Sequence, residues 1–132
     1  MFRHVRMIQL RDTDATGVLY FADQFKIALE TLEFFLKKSG TSLGIIIDKE
    51  NFLLPIVHAE SDYLAPLRVG DEVEITLSVK KIGTSSFTLH YAFHDKEKQI
   101  PVGSVSIVHV TVSKETKKSI PIPQLLADLL TS

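Results

Sequence analysis

From Glu72 to Lys80 the chain alternates with a period of two: Val73, Ile75, Leu77 and Val79 are apolar, and Glu72, Glu74, Thr76, Ser78 and Lys80 are polar. That period marks a strand with one face in a core and the other in water. After a Gly83-Thr84 turn, Phe87, Leu89, Tyr91 and Phe93 alternate in the same way with Thr88, His90, Ala92 and His94. Asp95 to Lys98 supplies the next polar reversal, and a third long strand is expected over Val102 to Val112. Phe2 to Leu10 alternates more loosely but also reads as a strand. Phe52 to Leu64 reads as extended chain, and Pro55 argues for an edge position or a bulge because proline donates nothing to a ladder. Pro66 and Gly70-Asp71 close that segment with turn chemistry.

One segment follows a different period. From Phe21 to Lys38, Phe25, Ala28, Leu29, Leu32, Phe35 and Leu36 recur at helical spacing, and Ile27 and Phe34 widen the stripe nearly all the way round. Such a helix is expected to be mostly enclosed. Lys37 and Lys38 suit its negative end and Gly40 its termination. Ser42 to Asn51 is expected to form a short helical turn or a loop packed on the core, and Pro121 to Leu130 a short C-terminal helix. The succession is strand, long helix, then four strands in meander. It predicts an α+β protein, an antiparallel five-stranded sheet wrapped around a long central helix, which is the layout called a hotdog fold. No linker or repeat divides residues 1–132, so one domain is expected.

Charge and composition narrow the partners. The chain has 15 Lys and Arg against 16 Asp and Glu, a formal net charge of -1, which offers no broad electrostatic footprint for nucleic acid or an anionic membrane. There is no cysteine, and with it go disulfides, thiolate metal sites and a cysteine nucleophile. No apolar run reaches the ~18 residues of a membrane span. The first residues, Met1-Phe2-Arg3-His4, lead straight into strand-like sequence rather than a signal or transit segment. A cytoplasmic protein is the expectation.

Between the first strand and the long helix stands Arg11-Asp12-Thr13-Asp14-Ala15-Thr16-Gly17-Val18-Leu19-Tyr20-Phe21. Two readings of it are open. Asp, Thr and Gly suit turns and helix N-caps for structural reasons alone. The same segment can instead hold a carboxylate beside the unpaired amides of a helix start, which stabilise a developing oxyanion. Other candidates are weaker. Gly40-Thr41-Ser42-Leu43-Gly44 spells the nucleophile-elbow string but follows a helix rather than a strand. His90 and His94 sit about 13 Å apart if on a strand, too far for one metal ion. His58, in the extended segment, can line a pocket or be satisfied as an interface histidine. Glu30, inside the apolar helix, is either a buried base or a solvated surface charge. Lys81, grouped with Lys80, Lys114, Lys117 and Lys118 near strand ends, can meet phosphates as a point charge. Ser85 is counted with His58, Glu30 and Lys81 as a candidate substrate contact. Neither a phosphate-binding Gly-x-x-x-x-Gly-Lys loop nor a dinucleotide fingerprint is present.

The string from Asp12 to Phe21 resembles the active-site loop of hotdog thioesterases of the 4-hydroxybenzoyl-CoA thioesterase type. The similarity continues through Leu54-Pro55-Ile56-Val57-His58-Ala59, Asp62-Tyr63-Leu64-Ala65-Pro66-Leu67 and Gly70-Asp71. Within that family the chain is most similar to the branch that hydrolyses 1,4-dihydroxy-2-naphthoyl-CoA in quinone biosynthesis. The resemblance implies an acyl-CoA substrate and no metal or cofactor. It also implies a homodimer, assembling to a tetramer, that pairs the strand after the helix edge to edge and lines each site from both chains. Position by position it implies Asp14 as the catalytic carboxylate, Gly17 as the point of backbone approach, and the amides around Tyr20 and Phe21 as the group polarising the carbonyl. Thr16 departs from the small apolar residue of several relatives. Whether Asp14 attacks the thioester or activates water stays open at this level, and so do two rivals: a fatty acyl-CoA or acyl-carrier thioesterase, and a non-catalytic acyl-binding module.

Overall fold

The alternating segments form one antiparallel sheet in the order β1-β4-β5-β6-β3. The computed structural model describes all residues 1–132. Its strands are β1 (Phe2–Met7), β2 (Phe52–Leu53), β3 (Ile56–Tyr63), β4 (Glu72–Ile82), β5 (Ser86–Asp95), β6 (Ile100–Val110) and β7 (Val112–Ser113), and its helices α1 (Asp23–Lys38), α2 (Leu43–Lys49) and α3 (Gln124–Thr131). This is the α+β layout expected, a five-stranded sheet with α1 against its inner face.

The strand order corrects one expectation. Only β4, β5 and β6 form a meander; β3 lies at the far edge beside β6, and β1 takes the place next to β4. The physical reason is in β3 itself, where seven of eight residues are exposed and neither face is buried. A strand without an apolar face gains little in the centre of a sheet, so it goes to the edge that Pro55 already suggested. The chain then crosses back through 64–71, held by Val102, whose carbonyl accepts from the Leu64 N–H at 2.9 Å, and by Leu67, which is buried.

The expected third strand is also interrupted. Thr111 is fully buried and its hydroxyl donates to the Ile120 carbonyl at 2.6 Å, which separates β6 from β7, and β7 pairs with β2 in a small second sheet.

The core lies between sheet and helices. Ile27, Ala28, Leu32 and Leu36 of α1 face Val73, Ile75, Leu77, Leu89, Phe93, Val105 and Ile107, and α3 adds Leu126 and Leu130. Burial of each such side chain contributes roughly 1.5–3 kcal/mol. The helix is less enclosed than its composition predicts: Phe34 stays exposed, stacked on His4 with ring centroids 4.4 Å apart. Ser42, the elbow serine of the sequence, caps α2 by accepting the Ile45 N–H at 3.1 Å, which is a structural task.

Tyr91 is fully buried on β5 and its hydroxyl has no hydrogen-bond partner within the chain; burial pushes its ionisation far above the ordinary tyrosine range. An unsatisfied buried polar group costs about 1–3 kcal/mol. Tyr91→Phe is therefore expected to raise the melting temperature, and a thermal scan showing a clear decrease would contradict that assignment.

Candidate active site

The segment after β1 is tied down at both ends before it reaches Asp14. Ile8 exchanges backbone hydrogen bonds with Asp71 and Gly70, each at 2.8 Å. A single 3-10 turn, Leu10–Asp12, follows. The buried Asp12 carboxylate accepts the Gln9 N–H at 2.8 Å and sits 3.0 Å from Nη1 of Arg6. Nε of Arg6 in turn lies 3.0 Å from Glu30 on α1, which also meets Nε2 of His4 at 3.1 Å. One guanidinium thus links strand, loop and helix. Arg6 and Asp12 are each only 11% exposed at the side chain, so the pair is shielded and the loop's entry point is rigid.

Beyond this anchor the chain makes a tight reversal. The Asp14 N–H donates to the Val18 carbonyl at 2.9 Å and the Gly17 N–H to the Asp14 carbonyl at 3.1 Å. Gly17 has φ of +78° with open space where a Cβ would stand. Its requirement is therefore conformational, a left-handed backbone that side chains resist. Bridges Thr13–Leu19 and Val18–Arg68 clamp the reversal to the 67–69 segment.

Asp14 is exposed at the tip. Its Oδ1 accepts from the Thr16 hydroxyl at 2.6 Å and the Thr16 N–H at 2.7 Å, while Oδ2 takes no bond within the chain. Both donors favour the charged form, and they hold the carboxyl below the usual aspartate range, the side-chain bond contributing most. The local turn reading and the carboxylate reading therefore coexist: one oxygen fixes the turn and the other points free.

The amides of the helix start divide unequally. The Tyr20 N–H is spent on the Asp12 carbonyl at 2.9 Å, so Tyr20 offers no polarising amide. The N–H groups of Phe21, Ala22 and Gln24 have no acceptor within the chain, and α1 has no capping side chain at Ala22. With the helix dipole behind them they form an anion-favouring opening.

Beside this opening is a groove of about 280 Å³ lined by Val18, Leu19, Gln24, Tyr63, Leu64 and Leu67 among others. Its far wall is tied to the helix start by the Tyr63 hydroxyl, which donates to the Phe21 carbonyl at 2.5 Å. Gln24, 1% exposed, is the residue that sequence reasoning missed. Its Nε2 donates to Oγ of Ser61 at 2.8 Å and to the Asp62 carbonyl at 3.1 Å, fixing α1 to the edge strand. The available signal was a polar residue in register with Ile27, Ala28 and Thr31 on the buried stripe.

The remaining candidates lie elsewhere. Lys81 and Ser85 are at the end of β4 opposite the Asp14 turn, which abuts the Glu72 end; nine residue steps at ~3.3 Å place them roughly 30 Å away within one chain. They cannot share a substrate's reacting end with the same chain's Asp14. The Ser85 carbonyl is occupied by Thr111. Glu30 is not a free buried base, being engaged by Arg6 and His4. His58 is exposed on β3 with its Nε2 3.7 Å from Glu60, outside the groove of its own chain. His90 sits on β5 with Nδ1 3.1 Å from Oγ of Ser106, and burial together with Lys80 lowers its basicity. No three His, Asp or Glu side chains converge as metal ligands, and no helix is long and apolar enough to cross a membrane.

Comparison with known proteins places this arrangement. A 1,4-dihydroxy-2-naphthoyl-CoA hydrolase of Synechococcus elongatus is 34% identical over 130 residues, covering 98% of this chain and 94% of the relative. One bearing the same name from Prochlorococcus marinus is 38% identical over 120 residues, 86% of this chain and 76% of the relative. The crystal structure of a 1,4-dihydroxy-2-naphthoyl-CoA thioesterase from Synechocystis superposes with a TM-score of 0.93 at 29% identity, over 99% of this chain and 96% of that one. Residues 8–130, from the end of β1 to α3, match the thioesterase-like superfamily, and with fold, loop and relatives in agreement the chain belongs to that family.

Proposed function

We propose that the chain hydrolyses an aromatic acyl-CoA thioester, with 1,4-dihydroxy-2-naphthoyl-CoA the substrate its relatives' names support best. The observation that carries this reading is the juxtaposition of a charged, half-free carboxylate with unpaired helix amides and an apolar groove. The groove takes the acyl group, and the carbonyl oxygen turns toward the N–H groups of Phe21 and its neighbours. Asp14 then either removes a proton from the attacking water or adds to the carbonyl carbon itself. In the first route a tetrahedral oxyanion collapses with loss of the CoA thiolate, giving the free acid. In the second an Asp14–acyl anhydride forms as the thiolate leaves, and water cleaves it. Each amide aimed at the oxyanion is worth about 10²–10³ in rate.

The exposed tip and the bare edge of β3 favour a homo-oligomer whose sites are completed by a second copy. Ile56, Val57, Tyr63 and Leu64 are all exposed on or beside that edge, an arrangement that single chains avoid unless it is paired. In such an assembly His58, Lys81 and Ser85 are contacts for a neighbouring chain's substrate rather than for their own.

A substrate panel tests the reading. Aryl-CoA thioesters are expected to be cleaved with kcat/KM at least tenfold above short or medium-chain acyl-CoA and acyl-carrier thioesters. A preference for fatty acyl groups would replace the substrate class, and binding without turnover on every member would replace the enzyme.

A further inference from the structure

β1 and β3 are the two edges of the sheet. β1 has six residues and no carboxylate to meet its Arg3. β3 has eight and carries both charges, and the direction of its backbone groups is fixed. The Leu64 N–H donates to the Val102 carbonyl at 2.9 Å, in the ladder that continues as Tyr63–Gly103, Asp62–Ser104, Ser61–Val105, Glu60–Ser106, Ala59–Ile107 and His58–Val108. Hydrogen-bonded pairs alternate with open ones in an antiparallel ladder, so Asp62, Glu60 and His58 bond to β6. Ala59, Ser61 and Tyr63 turn their N–H and C=O groups to the free edge. Side chains divide with the same period. Ser61 and Tyr63 reach Gln24 and Phe21 on the α1 side of the sheet, and Ala59 shares their row. His58, Glu60 and Asp62 form the opposite row, Nε2 of His58 lying 3.7 Å from Glu60.

A second β3 laid antiparallel along this edge meets the first about a two-fold axis. With the axis perpendicular to the sheet, only residues of the same row face each other. Three registers overlap most of the strand, with Ala59, Glu60 or Ser61 on the axis. Across this edge His58, Glu60 and Asp62 fall in the non-hydrogen-bonded pairs, whose Cα atoms are only about 4.5 Å apart, so their charges choose among the three. With Glu60 on the axis two Glu60 carboxylates stand face to face, although His58 then meets Asp62 of the partner subunit. With Ser61 on the axis Glu60 meets Asp62 of the partner subunit twice. Like charges directly opposite destabilise a sheet. With Ala59 on the axis Glu60 meets His58 of the partner subunit twice, and no like charges are opposed.

We propose that a second copy of the chain pairs with β3 in this last register, with Ala59 on the two-fold axis. The register rests on the homo-oligomer proposed above and fixes which residue each copy lends to the other. Opposite Ser61 lies Val57 of the partner subunit, at the bulge between Ile56 and His58; Val57 is 59% exposed in the single chain. Ser61 accepts from Nε2 of Gln24 at 2.8 Å and Gln24 lines the groove. Val57 of the partner subunit is thus an apolar wall for the acyl group.

The chain has no cysteine, so single thiols report the register without background. Ala59→Cys, Glu60→Cys and Ser61→Cys are each oxidised in the full chain with diamide and read on a non-reducing gel. A residue on the axis faces its own copy with Cα atoms about 4.5–5.5 Å apart, within disulfide reach. Ala59→Cys is expected to couple at least tenfold faster than the other two. Faster coupling of Glu60→Cys or Ser61→Cys overturns the register, and no coupling in any variant overturns pairing along β3. Glu60→Gln is a thiol-free check by sedimentation: loss of two cross-strand attractions should weaken the dimer about threefold or more, and an unchanged or tighter dimer overturns the proposal. Val57→Ala should raise KM for the aryl-CoA thioester at least threefold with kcat within twofold, and an unchanged KM overturns the shared wall. Cross-linking and sedimentation need no turnover, so they decide the register even if hydrolysis fails, whereas a wild-type chain that sediments as a monomer removes the assembly itself.

Discussion

Asp14→Asn is expected to lower kcat/KM for aryl-CoA hydrolysis by about 10²–10⁴-fold, the usual contribution of a positioned base, with the melting temperature unchanged. The asparagine keeps an oxygen where Oδ1 accepts the Thr16 N–H and hydroxyl, so the turn survives. What is lost is the charge and basicity of the second oxygen. Because the side chain is exposed at the loop tip, no core packing is disturbed, and a circular dichroism melt separates chemistry from folding. A rate within threefold of wild type would move the chemistry to another group. The pH profile adds a check whose sign is fixed. The bonds from Thr16 hold the carboxyl below the ordinary aspartate range, and the active form is the deprotonated one. Activity should therefore persist as pH falls through that range and decline only below it. Thr16→Val removes the hydroxyl donor and should bring the acid limb to higher pH.

Gly103→Ala is expected to destabilise the fold by about 1–3 kcal/mol, the usual cost of forcing one extra carbon into a packed site, and so to lower the melting temperature by about 4–12 °C. An added Cβ would stand 2.7 Å from the Asp62 carbonyl oxygen and 2.9 Å from both polar atoms of the Gln24 carboxamide. The strain has no easy outlet. Moving Gln24 breaks its bonds to Ser61 and Asp62, and moving Asp62 opens the β3–β6 ladder at the Asp62–Ser104 pair. Gln24 also lines the groove beside the helix start, so KM for the aryl substrate should rise with the loss of stability. A shorter partner tests the cause. In the Gly103→Ala, Gln24→Ser double variant the alanine should cost clearly less than it does alone, a coupling expected of residues in contact. Additive losses would show that the glycine serves something other than the approach of Gln24.

Much of this architecture follows from local pattern. The alternation of β4 and β5 and the helical period after Phe21 report directly which side of each segment meets water, because periods of two and 3.6 place side chains on fixed faces. The Asp14 reversal was visible for a similar reason: Gly17 and the Asp and Thr around it have intrinsic backbone preferences that need no distant partner. The helix boundary was harder, since the Tyr20 N–H bonds to the Asp12 carbonyl and the helix begins only at Asp23.

Tertiary structure decided what depends on residues far apart in the chain. β3 has no period to read because neither of its faces is buried in a single chain, and its place beside β6 is set by the ladder and by Gln24 reaching across from α1. Lys81 and Ser85 carry suitable chemistry but lie at the wrong end of β4, a matter of topology that composition does not encode. Glu30 reads as a possible base until Arg6 arrives from β1. His109 looks like one residue of a strand, yet folding strips the water from one of its nitrogens and leaves that atom without a partner in the chain. Local sequence determined the elements and the turn, since their energies are short-ranged. The pairing of charges, the spare amides and the cavities arise only when separate elements meet.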